Sequence, residues 1–180
     1  MVLEGSRPVT VPARTGRAHL QALLFRALQA AKDDHPGASD LSGALRRLTS
    51  ATRRRGMVVV ISDFLSPEHW EQPLRVLGAR HEVLAIEIVD RRELELPDVG
   101  VVDLVDPETG ERREVNTSSA RTRERFAEAA SAQRAEITRR IRSADADHLL
   151  LRTDSDWLLD LVRFVALRRE RLEARQRLAP

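Results

Sequence analysis

Three aspartates each follow an apolar run: Asp63 comes, after Ser62, at the end of Met57 to Ile61, Asp90 after Glu82 to Val89, and Asp154 shortly after His148 to Leu151. Short apolar runs rich in β-branched residues predict strands covered on both faces in a parallel sheet. The strand ends of such a sheet share one edge, so the three carboxylates could gather there. A cluster of that kind holds a divalent metal in nuclease- or phosphatase-type hydrolysis. A local reading stands beside it. Asp63 can bond the backbone of the turn it enters, Asp90 can open a turn with Arg91-Arg92, and Asp154 with Ser155 can cap a helix.

Other catalytic chemistry is sparse. The chain has no cysteine, which excludes disulfides, thiolate metal sites and a cysteine nucleophile, and which fits a reducing compartment. Its five histidines are scattered without ligand spacing, and His148 beside a strand reads as structural or exposed. No Gly-rich phosphate loop, G-x-S-x-G elbow or nucleophile and base pair is visible. The expectation is a chain that is not an enzyme, with a hydrolase built on the cluster of Asp63, Asp90 and Asp154, or a truncated fragment without function, as the alternatives.

The elements that must position these residues are bounded first by composition. Across 180 residues, 42% are hydrophobic and 32% charged, with 8 Gly and 8 Pro, which excludes disordered and collagen-like classes and predicts one globular domain. Lys32 is the sole lysine among 30 basic residues, so the sequence pI of about 10.2 exaggerates the basicity of a chain whose net charge is +2. With 28 acidic residues interleaved among the arginines, nucleic-acid binding is not expected. No apolar run approaches the roughly 18 residues of a membrane span, and no signal-peptide core is present, so the expected location is cytoplasmic.

Residues 2 to 12 read as residual strand material around a turn at Gly5-Ser6. Helical spacing follows from Arg17, with Leu20, Leu23, Leu24, Leu28 and Ala31 on one side, until His35-Pro36-Gly37 breaks it. A second helix starts at Ser39 or Asp40, turns Leu41, Ala44, Leu45 and Leu48 inward, and ends at Arg53-Arg54-Arg55-Gly56. After the strand of Met57 to Ile61, Ser66 and Pro67 suggest the start of a helix with Trp70, Leu74 and Leu77 inward, kinked or shortened by Pro73. Strand, helix and the next strand, Glu82 to Val89, form a parallel crossover unit. Val101 to Val105 and Glu111 to Val115, around Asp106-Pro107-Glu108-Thr109-Gly110, read as a hairpin. A long helix from about Ser119 to Arg142 carries Phe126, Ala130, Gln133, Ile137 and Ile141 on one face. The strand His148 to Leu151 and a final helix complete the chain, with Trp157, Leu158, Leu161, Phe164 and Val165 inward and a charged tail over 165–180.

The fold class is therefore α/β, a Rossmann-like open and mostly parallel sheet with helices on both faces. Its edges are a problem. Met57 to Ile61 should sit centrally, yet upstream only Val9 to Val11 could pair with it. The chain reads as a single incomplete domain over 1–180, missing N-terminal strands, with self-association through the exposed edge as a possible consequence.

GRAHLQALL (16 to 24), GASDLSGALRRL (37 to 48), RRRGMVVVISDFLSP (53 to 67), ARHEVLAIEIVDRRELELPDVG (79 to 100), VDPETGE (105 to 111) and DHLLLRTDSDWLLDLVRF (147 to 164) together resemble the C-terminal part of one bacterial family. It is the uncharacterised von Willebrand factor A-like family often encoded beside MoxR-type AAA+ ATPases. The resemblance implies a metal-ion-dependent adhesion site at the carboxyl ends of the strands. There a cation, usually Mg²⁺, is held by an Asp-x-Ser-x-Ser loop, by a threonine or serine of a second loop, matched by Ser39, and by an aspartate matched by Asp63. Asp-x-Ser-x-Ser itself is absent from the chain. The implied site is incomplete, no cofactor is expected for this chain, and the implied role is a protein-interaction module working with a MoxR-type ATPase in assembly or maturation of other proteins.

Overall fold

The computed structural model describes residues 2–4, 7–12, 14–32, 40–66, 69–105 and 111–178. Two short strands, β1 (Val2–Glu4) and β2 (Arg7–Val9), pair antiparallel with each other, and α1 (Arg17–Lys32) lies against β1. Next come α2 (Leu41–Ala51), β3 (Met57–Ser62), α3 (Glu71–Gly78) and β4 (Glu82–Val89). A hairpin of β5 (Val101–Val105) and β6 (Arg112–Asn116) precedes α4 (Ala120–Ser143), β7 (Asp147–Arg152) and α5 (Trp157–Leu178).

The main sheet is small and wholly parallel, in the order β3-β4-β7. Each crossover carries a helix, α3 between β3 and β4 and α4 between β4 and β7, as parallel pairing requires. One face of the sheet holds most of the core. Leu41 and Leu45 of α2, Leu74 and Leu77 of α3, and Ile137 and Ile141 of α4 close over Val58, Val60, Val83 and Ala85. The packing is tight enough that a Cβ on Gly78 would stand 2.6 Å from the Ala144 carbonyl oxygen. The other face is covered by α5, whose Leu161 and Phe164 pack on Leu84, Ile86, Leu149 and Leu151. A mixed α/β architecture with helices on both faces agrees with the Rossmann-like expectation.

Several expectations need correction. β3 is covered on one face, not two: Met57, Val59 and Ile61 are 51%, 47% and 66% exposed. It lies at an edge of the described sheet, with β4 as its neighbour, and β2 does not reach it. Leu20, Leu24 and Leu28 of α1 are exposed, as are Trp157, Leu158 and Val165 of α5, so these apolar stripes are only partly used. The helix expected from Ser66-Pro67 starts at Glu71; Pro73 then falls in the first turn, where its missing N–H costs nothing. On α4 the inward position after Ala130 is Arg134 rather than Gln133, which is exposed.

The second helix starts where expected. The cap offered to Ser39 or Asp40 falls to Asp40, whose Oδ1 accepts the Gly43 N–H at 2.5 Å.

Candidate functional site at the carboxyl edge of the sheet

β3 and β4 run parallel with Ser62 opposite Glu87, so their carboxyl ends, Asp63 and Asp90, come to one edge. At Asp63 the backbone turns sharply. Phe64 sits at φ 57°, a left-handed conformation that costs a bulky residue about 1–3 kcal/mol. Burial holds it there: Phe64 is 2% exposed and its ring lies 5.0 Å from that of Trp70, tilted by 60°.

Hydrogen bonds fix the same turn from three sides. Ser62 Oγ accepts the Phe64 N–H at 3.1 Å, and Asp63 Oδ1 accepts the Leu65 N–H at 3.1 Å. From α4, Arg134 Nη1 donates to the Asp63 carbonyl at 3.1 Å. The Asp63 side chain is exposed, and its Oδ2 makes no hydrogen bond among the described residues. Among the described residues this strained turn thus leaves one carboxylate oxygen of Asp63 without a hydrogen bond.

Arg134 reaches that turn from a buried charge network. Glu87 is 0% exposed, in the middle of an apolar strand. Its Oε1 accepts from Arg134 Nη1 at 3.0 Å and its Oε2 meets His148 Nε2 at 2.7 Å. Arg134 Nη2 also donates to Glu93 Oε2 at 2.6 Å, while its buried Nε has no partner among the described residues. Burial pushes the Glu93 carboxyl above its usual range against the pull of Arg134, and the negative charges of Asp63 and Asp90 add to the rise. Sequence reasoning missed this network. The signal was a glutamate within an otherwise apolar strand, since a buried carboxylate needs a cationic partner.

The other two aspartates stand at the same edge but are held by other partners. Asp90 Oδ1 accepts the Arg92 N–H at 2.8 Å and its Oδ2 accepts from Thr153 Oγ1 at 2.9 Å. The Arg92 bond, with that from Thr153, holds its carboxyl below the usual range. Asp154 is gripped by Arg152 through two bonds of 2.9 Å, which lower its pKa in the same way. Asp63 and Asp90 share the edge, whereas Asp154 is committed to its arginine. Ser39 lies outside the described residues.

A cation would find few donors here. Hard divalent ions take about six or more oxygens, and the described part of this edge offers chiefly the free oxygen of Asp63. Among the described residues no group of three or more His, Cys, Asp or Glu could hold a metal ion. These residues do not fit Mg²⁺ by themselves.

Residues 1–136 match a family described as a protein of unknown function, DUF58. The chain belongs to this family. An uncharacterised protein of Mycobacterium tuberculosis and one of Mycobacterium bovis are each 50% identical to it over 170 residues, covering 94% of this chain and 53% of the relative. An uncharacterised protein of Mycobacterium avium is 51% identical over 159 residues, covering 88% of this chain and 94% of the relative. The chain thus spans about half the length of the first two relatives. No solved structure matches it. Among the described residues, no helix of this DUF58 chain is long and apolar enough to cross a membrane.

Proposed function

We propose that this DUF58 chain is a non-enzymatic, cytoplasmic protein-interaction module of von Willebrand factor A-like fold, which binds a partner at the carboxyl edge of its sheet. The observation that carries the reading is the Asp63 turn. A left-handed Phe64, a buried ring pair and an arginine from α4 hold one exposed carboxylate in place. Strain kept up by so many contacts marks a functional turn rather than a passive loop, and a preorganised charge loses little entropy on binding.

A MoxR-type AAA+ ATPase is the partner suggested by the sequence resemblance, with assembly or maturation of other proteins as the shared task. On this reading the domain is incomplete on the open side of β3, where the resemblance calls for the first strand and its Asp-x-Ser-x-Ser loop. Any cation would then need donors beyond Asp63 and Ser39. The hydrolase alternative lacks support in the geometry, because Asp154 is turned onto Arg152.

The test is binding of the purified chain to a MoxR-type ATPase from the same organism, measured by calorimetry. Asp63→Asn, which keeps an Oδ1 acceptor for the Leu65 N–H, should weaken binding at least tenfold, the scale of one lost charge-assisted contact, while the melting temperature stays unchanged. Equal binding by the variant, or none by the wild type, would overturn the reading. Mg²⁺ alone should not raise the melting temperature of this chain; a clear rise abolished by Asp63→Ala would show that the residual site is sufficient.

A further inference from the structure

Side chains of β7, β4 and α4 form one buried line that ends at the Asp63 turn. Glu87 of β4 lies at its centre, 0% exposed, with His148 of β7 at 2.7 Å from Oε2 and Arg134 of α4 at 3.0 Å from Oε1. Arg134 continues the line to Glu93 at 2.6 Å and to the Asp63 carbonyl at 3.1 Å. One guanidinium thus serves two carboxylates and a neutral carbonyl. With both glutamates ionised the cluster holds one negative charge in excess, which is costly where water is excluded, and a single proton restores the balance.

Two groups compete for that proton. Burial raises the Glu93 carboxyl, but its side chain is 36% exposed, so water reaches its charge. His148 is 9% exposed, and 2.7 Å is the length of a charge-assisted bond from an imidazolium to a carboxylate. A route from solvent is present as well, because His148 lines a cavity of about 340 Å³ between α4, β7 and α5. Four other charged groups share that cavity. Arg168 is matched by Asp147 and by Glu82, while Arg142 and Arg171 are exposed, so water screens their opposition to a charged imidazole.

The effect at the turn follows from unequal acceptors. With His148 charged, both Glu87 oxygens have cationic partners, and Arg134 can share a donor with the Asp63 carbonyl. With His148 neutral, the excess negative charge draws the guanidinium toward Glu87 and Glu93, and the uncharged carbonyl is the weakest of its three acceptors. Phe64 then loses a bond that helps to hold its left-handed φ, and the Asp63 carboxylate loses its fixed direction.

We propose that His148 is a proton sensor for the carboxyl edge: its charge, relayed through Glu87 and Arg134, holds the Asp63 turn in its left-handed form, and loss of the proton loosens the turn. The inference rests on the partner-binding reading for what Asp63 meets. The relay itself is internal and independent of what lies beside β3.

Trp70 reports the turn directly, being 1% exposed and packed on Phe64. In a Trp157→Phe background it is the only tryptophan. Between about pH 6 and pH 8, within the range where imidazoles change charge, its emission should move to the red. Over the same range, binding of the MoxR-type ATPase should weaken roughly tenfold, the scale of one hydrogen bond to a charged group. In His148→Gln, which keeps a neutral donor for Glu87, both pH dependences should vanish, leaving emission and affinity at the high-pH level of the wild type. Glu93→Gln should retain both. Far-UV circular dichroism checks that each variant is folded, and the wild-type titration decides even where a variant is not. Wild-type emission that stays constant over this range would overturn the proposal. So would a pH dependence that survives in His148→Gln, or one abolished by Glu93→Gln, which would make Glu93 the proton holder. Emission that follows His148 without ATPase binding at any pH would sink only the partner-binding reading. Binding that needs Asp63 while Trp70 emission stays constant would sink only the relay.

Discussion

On one face of the sheet α2, α3 and α4 seal Val58, Val60, Val83 and Ala85, while on the other α5 shields Leu84, Ile86, Leu149 and Leu151 but leaves the outward side of β3 bare. The strand itself is equally apolar on both sides, reading Met-Val-Val-Val-Ile-Ser. What differs is the supply of covering elements. The closed face therefore bears the stability of the fold, and the open face, with Met57, Val59 and Ile61 exposed, adds little to it. Mutations can separate the two faces.

The largest effect should come from the closed face at Glu87. Replacing it with alanine strips Arg134 and His148 of their shared buried partner, and breaking a buried pair from one side costs about 3–5 kcal/mol. Urea unfolding of Glu87→Ala measures this; a loss below about 1 kcal/mol would mean the network is solvated and the closed face less sealed than described.

Next in size is a matched pair of truncations. Leu77, fully buried under α4, should lose roughly 2–5 kcal/mol as Leu77→Ala, because the cavity cannot collapse between two packed helices. Ile61→Ala on the bare side should cost under about 1 kcal/mol in the monomer, since little packing is removed. Similar losses in the two variants would erase the distinction between the faces.

The smallest effect is on acid sensitivity. Asp90 and Asp154 are held below their ordinary value of 3.8, first by the Arg92 backbone bond and the Arg152 side chain respectively. Their folded pKa values lie below the unfolded ones, so their support is present above about pH 4 and lost as pH falls through the folded values. Glu93 runs the other way: burial raises its carboxyl above 4.5, so its contribution is present below that pH and lost as pH rises through the folded value. A melting series from pH 3 to 6 should show Asp90→Asn with a slightly shallower acid decline than the wild type. An identical slope would mean the Arg92 and Thr153 bonds do not persist in solution.

Legibility in the sequence followed the range of the interaction. The crossover from β3 to β4, the hairpin and the long α4 were readable because local spacing and turn residues specify them. Coverage was not readable. Periodicity identifies the apolar stripe on α1 at Leu20, Leu24 and Leu28, yet nothing local says whether another element lies against it. The Asp63 turn was half legible: a carboxylate closing an apolar run was conspicuous, but the left-handed Phe64 and the reach of Arg134, 71 residues away, depend on tertiary packing. Arg134 lies four residues after Ala130 and three before Ile137, so helical spacing placed it on the inward face; its charge alone argued against it.

The root of the β5–β6 hairpin has a consequence for how this family can vary. Thr117, fully buried, donates its N–H and its hydroxyl to the Gly100 carbonyl, both at 2.7 Å, and accepts the Val99 N–H on its Oγ1 at 3.2 Å. The two ends of the excursion are thus fastened together before it begins. Residues 101–116 form a cassette: lengthening, shortening or exchanging it leaves the junction closed and the route from β4 into α4 intact, because added loop length costs only slowly growing entropy. New recognition surfaces could be grafted at that junction without disturbing the sheet beneath it.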